Sequence, residues 1–200
     1  MGGTFDPIHH GHLAAASEAV HAFSLDKVLF IPAGEPWQKD QNTVSPAEDR
    51  YVMTVLATAA DVRFEVSRVD LDRPGPTYTV DTLTLLHEKF GDDCELFFIT
   101  GSDALSQVFT WHDFERVAEL AHFIGVNRPG QRLSDPRLAN PQEPLGRVSM
   151  LNLSFLEVPD LAISSTDCRE RVASGRPIEY LVPAAVARYI DKRGLYRGQS

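Results

Sequence analysis

Apolar residues along this chain follow two alternating rhythms. Short continuous runs, such as VLFIP at Val28–Pro32 and ELFFIT at 95–100, have the length and the branched or aromatic content of buried strands. Between them, apolar positions return every three or four residues, as on one face of a helix. Leu13, Ala14, Ala16, Val20 and Phe23 form one such series, Tyr51, Val52, Val55 and Leu56 a second, and Leu83, Leu86 and Phe90 a third. The second helix is expected to open at Ser45-Pro46-Ala47-Glu48, with Ser45 as cap, Pro46 at the first position and Glu48 three residues after the cap. It should run to about residue 60. The third is expected over 79–90, with Thr79 or a neighbour as cap. Further strands are expected at 64–69, 123–127 and 156–158, and further helices at 114–121, about 165–174 and 183–192. Strands alternating with helices predict βαβ units and a parallel sheet, hence the α/β class. Residues 130–150, rich in Pro, Arg, Asn and Gln, read as an irregular surface excursion. With no internal repeat and no long linker, the expectation is one domain over 1–200, its last part, about 165–200, helical.

Composition narrows the function classes. The 200 residues are 43% hydrophobic and 24% charged, with a formal net charge of -9. That balance argues against a nucleic-acid binder working through a basic face, though not against a nucleotide, for which a few local cations suffice. The chain has no apolar run near twenty residues and no secretory pattern at its start, so no membrane partner is expected. Cys94 and Cys168 lie far apart without a pair motif, which fits a reduced, cytoplasmic protein.

The richest stretch is Gly2-Gly3-Thr4-Phe5-Asp6-Pro7-Ile8-His9-His10-Gly11-His12. Two glycines and a threonine allow a tight turn that presents N–H groups, and the helix that follows offers unpaired donors and a partial positive charge at its start. With His9 and His12 beside it, this reads as a phosphate cradle. It is neither a Walker A loop nor a dinucleotide fingerprint. A metal cluster of His9, His10 and His12 competes, but the crowding and the lack of a downstream Cys/His pair count against it. Capping is the alternative role for His10. Asp6 reads as a turn-former rather than an acid catalyst. A strand should precede Gly2, so Met1 is expected to lie within a strand of a chain that begins further upstream.

A second anion motif lies at Ile163-Ser164-Ser165-Thr166-Asp167-Cys168-Arg169. Consecutive hydroxyls at a helix start cap some N–H groups and leave others free for an anion, and Arg169 one turn on can clamp phosphate oxygens. A plain cap with a surface arginine is the other reading. Cys168 is given no catalytic role. Lys39 stands beyond a strand end, where open α/β sheets bind ligands, with a solvated lysine as the alternative.

The N-terminal string resembles the nucleotidyltransferase family marked by H-x-G-H. Within that family it is similar to the bacterial branch that adenylylates nicotinate mononucleotide. Ile163-Ser164-Ser165-Thr166 with Arg169 resembles the same family's I-S-S-T-x-x-R signature, and Tyr78-Thr79-Val80-Asp81-Thr82-Leu83 its Y-T-x-D-T-L segment. The resemblance implies a Rossmann-like, doubly wound parallel sheet with helices on both faces. It implies ATP and nicotinate mononucleotide as substrates, Mg²⁺ as cofactor, and no resident metal site. It implies His9, His12 and Lys39 as catalytic groups, and Gly3, Thr4, Phe5, Ser164, Ser165, Thr166 and Arg169, with Gly101 and Asp103, around ATP. Gly2, Gly3, Lys39, Thr79 and Trp111 would hold the mononucleotide, in its acid form by preference. Trp111 as a packing aromatic and Asp103 as a helix cap are the competing roles, and Trp37 departs from the Pro-His common in the family's loop. A pantetheine-phosphate adenylyltransferase and a non-catalytic nucleotide-binding regulator are the alternative functions. The oligomeric state, a homo-oligomer included, stays open.

Overall fold

The computed structural model of the chain describes residues 1–36, 43–127, 149–159 and 161–197, with Ser102 by its backbone alone. In chain order the elements begin with β1 (Gly2–Gly3), α1 (His10–Phe23), β2 (Val28–Pro32), α2 (Ala47–Thr58), β3 (Phe64–Val66) and α3 (Thr79–Phe90). There follow β4 (Phe97–Gly101), α4 (Ser102–Leu105), a 3₁₀ turn (Val108–Thr110), α5 (Phe114–Leu120), β5 (His122–Asn127), β6 (Leu153–Glu157), α6 (Ser165–Ala173) and α7 (Ala184–Arg193). The chain divides into two compact units. A terminal unit holds Gly2–Pro76 and Leu161–Ser200, and a central unit holds Thr77–Asp160 with Met1.

The terminal unit carries a parallel sheet in the order β1-β2-β3. β2 is buried on both faces, as its unbroken apolar sequence requires: Val28, Phe30 and Ile31 are all in the core, with Ile8 and Met53. Gly2 pairs with Ile31 and Gly3 with Pro32. The ladder between β2 and β3 shows why β3 stops at Val66 rather than running to 69. The N–H of Val28 donates to Arg63 O and that of Ser67 to Phe30 O. The same two-residue step next reaches Pro32, which has no N–H to give. α7 is fastened to α2 through the buried Asp49 carboxylate, which accepts from Tyr189 Oη at 2.7 Å and Arg193 Nε at 3.1 Å.

The central unit has its own parallel sheet, β4-β5-β6, with Phe97 opposite His122 and Phe123 opposite Leu153. Its core gathers Val80 and Leu83 of α3, Leu105, Val108, Phe114 and Val117, and Phe123 of β5. Phe109 and Phe114 meet edge to face, their centroids 4.9 Å apart, a favoured aromatic arrangement.

Several expected boundaries move. α2 begins at Ala47 with Pro46 in the cap position and no side-chain cap; Ser45 is turned instead to partners described below. α3 spans the predicted residues, but Tyr78 occupies its cap position without a side-chain cap bond. β4 starts two residues late, and β6 covers 153–157 rather than 156–158. The expected excursion lies outside the described residues except for Ser149 and Met150, which are helical.

Gly34, just past β2, is where the fold tolerates least. A Cβ there would lie 2.4 Å from the carbonyl oxygen of Asp70, a main-chain atom that cannot swing aside. Gly34→Ala is therefore expected to destabilise the protein by about 1–3 kcal/mol in denaturant unfolding, in the range of other overpacked substitutions. Wild-type stability would mean that the Asp70 backbone yields.

Candidate active site

Between β1 and α1 the chain makes a loop whose shape is set by three buried groups. Phe5 has left-handed backbone, φ 51°, unusual for a residue with a large side chain. Its ring is 3% exposed, packs on Phe30 at 5.9 Å and meets the His12 ring edge-on at 5.1 Å. Packing of this kind holds a backbone conformation that would otherwise relax. Asp6 forms a turn with Pro7, as expected, through a cis peptide bond. It does more than turn the chain. Its carboxylate is buried and accepts from the Ser45 N–H at 3.1 Å and from Tyr196 Oη at 2.6 Å. Burial, and then the neighbouring Asp6 charge, push the Tyr196 phenol far above its ordinary pKa, so it remains a donor.

His9 stands at the cap position of α1 and is buried; His12 lies one turn along. Their rings stack at 3.7 Å. The backbone N–H of His9 donates to His12 Nδ1 at 3.2 Å. Because an amide N–H can only donate, Nδ1 is the accepting nitrogen, and the neutral ring carries its proton on Nε2. Nε2 is thereby set up as a hydrogen-bond donor. His10 has a different part: its backbone N–H donates to Leu181 O at 3.0 Å. Its side chain lines a pocket of about 630 Å³ with Leu13, Ala57, Phe64, Ile163 and Tyr180, a pocket that His9 and His12 do not line.

The second anion motif is joined to this loop. Ser165 Oγ donates to Pro7 O at 2.8 Å, and Arg169 Nη1 donates to Asp6 O at 2.7 Å. Ser164 Oγ accepts from the Asp167 N–H at 3.1 Å and so caps α6 as expected. Arg169 Nη2 also reaches Thr166 Oγ1 at 3.3 Å. The hydroxyl proton of Ser165 and one arm of Arg169 are thus committed to the loop, and the other arm of Arg169 reaches Thr166. Cys168 is fully buried, and desolvation, with Asp167 beside it, pushes its thiol up to about 11. That fits a packing role and no catalytic one.

The remaining predicted residues sit in the central unit or outside the described residues. Thr79 is the first residue of α3, Gly101 ends β4, and Asp103 lies in the first turn of α4 rather than at its cap. A Cβ on Gly101 would meet nothing within 4 Å, so this strand end is open. Trp111 is half-buried, edge-on to Phe98 at 5.7 Å and tilted against Phe123 at 6.1 Å. Its indole therefore packs on the unit's core. Beside it, His112 lies against the Tyr78 ring at 4.5 Å. Lys39 and Trp37 lie outside the described residues. Among the described residues no group of three or more His, Cys, Asp or Glu is arranged to hold a metal ion. No helix among them is long and apolar enough to cross a membrane.

Sequence reasoning missed Arg50. It is 1% exposed and donates four hydrogen bonds to main-chain carbonyls: Nε to Ser45 O, Nη1 to Thr4 O and Ala33 O, and Nη2 to Gly34 O, all at 2.7–2.9 Å. The signal was available. Position 50 falls on the stripe that Met53, Thr54 and Ala57 bury, and a charge there needs a compensating role.

A phosphate-type loop at a strand end, stacked histidines at a helix start and a hydroxyl-rich second helix start are the features expected of a nucleotide-binding α/β protein. A family model described as cytidylyltransferase-like matches residues 1–171, and the chain belongs to that family. The chain is 61% identical over 199 residues, the whole of both chains, to the probable nicotinate-nucleotide adenylyltransferase of Streptomyces coelicolor. It is 58% identical to the protein of the same name from Salinispora arenicola, covering 98% of this chain and all of the relative. Among solved structures it is similar to the Plasmodium falciparum nicotinic acid mononucleotide adenylyltransferase complexed with NaAD. The TM-score there is 0.74, over 98% of this chain and 94% of that one, at 19% identity. This last likeness bears on the fold, which is the Rossmann-like arrangement of parallel sheets and flanking helices.

Gly11 gives a test of the histidine geometry. A Cβ there would stand 3.0 Å from His9 Nδ1 and 3.1 Å from His9 Cε1. Gly11→Ala gains helix propensity, worth up to about 1 kcal/mol, so the melting temperature should hold or rise. The His9 ring must shift, and the Hε1 resonances of His9 and His12 should move together in proton NMR. Resonances that stay where they are would show that the stack does not depend on glycine.

Proposed function

We propose that this chain transfers the adenylyl group of ATP to nicotinate mononucleotide, giving nicotinate adenine dinucleotide and pyrophosphate, as a cytoplasmic step of NAD biosynthesis. The observation that carries this reading is the joining of the two anion motifs, through Ser165 to Pro7 O and Arg169 to Asp6 O, beside the His9–His12 stack. Two full-length relatives bearing that activity in their names support it. The family match runs from 1 to 171 across both units, which supports reading the chain as one functional domain.

The reaction needs no covalent enzyme intermediate. A phosphate oxygen of the mononucleotide, already ionised, attacks the α-phosphorus of ATP. The bond from that phosphorus to the oxygen bridging to the β-phosphate breaks, and pyrophosphate leaves with the electron pair. Catalysis is then positioning plus stabilisation of the charge that builds on the α-phosphoryl oxygens. His12 supplies the Nε2 proton that its accepting Nδ1 leaves available. His9 acts beside it, and the loop of Gly2, Gly3, Thr4 and Phe5 is assigned to the cradle, its donors being those beyond Gly3, whose N–H belongs to the sheet. Ser164, Ser165 and Thr166, through the N–H groups at the start of α6, and Arg169 are assigned to the pyrophosphate. In the central unit, Gly101 and Asp103 are assigned to the adenosine, and Thr79 and Trp111 to the pyridine ring. Lys39 is assigned to phosphate on resemblance alone. Mg²⁺ would arrive with ATP and would neutralise charge on its phosphates.

Pyrophosphate release with ATP and Mg²⁺ should be rapid with nicotinate mononucleotide and weak with nicotinamide mononucleotide or phosphopantetheine. Turnover with phosphopantetheine alone would transfer the chain to the pantetheine-phosphate branch.

His12→Ala should fold normally by circular dichroism and lose about 10²–10³-fold in kcat, the usual effect of removing one transition-state donor. A rate near wild type would remove His12 from the mechanism.

A further inference from the structure

Four of the five N–H donors of Arg50 are fixed on neutral main-chain oxygens, and among the described residues no carboxylate meets it in a hydrogen bond. Burial pulls its pKa down, and the charge that opposes this is Asp6. The two are linked through Ser45, whose carbonyl accepts from Arg50 Nε and whose N–H donates to the Asp6 carboxylate. Tyr196 Oη closes the other side of that carboxylate. A cation held this way, without surface exposure, cannot meet substrate. What it touches is the peptide chain of the loop.

In a trans peptide the C=O and the following N–H point in opposite directions. A guanidinium that draws the carbonyls of Thr4 and Ala33 inward therefore turns the N–H groups of Phe5 and Gly34 away from itself, while Glu35, whose preceding carbonyl it also holds, pairs with the segment at Pro76. These peptides lie just beyond the last sheet bond between the two strands, from the Ala33 N–H to Gly3 O at 2.9 Å, where the ladder no longer dictates their tilt. We propose that Arg50, kept in place by the buried Asp6–Tyr196 pair, is a positioning residue that aims the N–H donors of the phosphate loop. This rests on the adenylyl-transfer reading for its kinetic consequence, though not for its geometry.

Arg50→Lys keeps the charge but offers three donors on a single nitrogen, which cannot span the same carbonyls. Tyr196→Phe removes one hydroxyl from the edge of the network and should fold whatever becomes of the lysine variant. Each is measured against wild type for folded fraction, kcat and KM, and for ATP-induced shifts of the Phe5 and Gly34 amides in ¹⁵N-resolved NMR. The expected result, per folded molecule, is a fall in kcat of about 10²-fold for Arg50→Lys and several-fold for Tyr196→Phe, with KM values within about threefold of wild type. The ATP-induced amide shifts should shrink in the same order. Should Arg50→Lys fail to fold, Tyr196→Phe decides alone. Wild-type kcat and wild-type amide shifts in the folded variants would overturn the proposal and leave Arg50 a purely structural residue. A wild-type protein that turns nothing over yet shows the amide shifts, diminished in the variants, would sink the functional reading while leaving Arg50 in its positioning role.

Discussion

Where a parallel sheet ends, its last carbonyls lose their strand partners, and in this protein the guanidinium of Arg50 takes them up from both β1 and β2. An unpaired main-chain oxygen in the interior costs about as much as a lost hydrogen bond, and Arg50 removes that cost at four places. The arrangement brings a buried positive charge, and Asp6 is its counterweight. Through Asp6 the loop is bound to the start of α2, to Tyr196 after α7, and, by the Asp6 carbonyl, to Arg169 of α6. Segments far apart in sequence thus meet on one carboxylate and its own backbone.

This division of labour separates structure from chemistry within a few residues. Carbonyls face the buried arginine, while the stacked histidines and the start of α6 gather beside the loop. His12 illustrates the economy of the scheme, since a main-chain N–H from His9 selects the tautomer that leaves Nε2 protonated. Arg169 stands between the two roles, with one arm on the loop and the other on the Thr166 hydroxyl at the start of α6. The thiol of Cys168, which follows the capping hydroxyls of α6, is held in its neutral form by burial and takes no part.

Much of this was legible in the sequence. β2 and α3 were expected over the residues they occupy, because an unbroken apolar run and a three-to-four spacing are strong local signals. β3 was overrun because its end is decided by its neighbour: Pro32 lacks the N–H that pairing further would need. Ser45 reads locally as a helix cap, but tertiary partners claim it, Asp6 at its N–H and Tyr196 at its hydroxyl, and the helix starts without it. Asp6 was recognised as a turn and not as an anchor, since its partners Ser45 and Tyr196 are remote in sequence. Arg50 hid for the same reason. The two anion motifs were readable as motifs; that Ser165 and Arg169 would fasten one to the other was not, because local spacing says nothing about which carbonyl a hydroxyl will find.

The contact between Asp6 and Tyr196 spans 190 positions. During synthesis the loop is made well before the phenol that closes it. Contacts of such separation are the slowest to form, because the loop entropy must be met before they stabilise anything. The nascent chain can build strands and helices along the way, but the loop is completed only once Tyr196 has been made, so the site matures later than the segment that forms it.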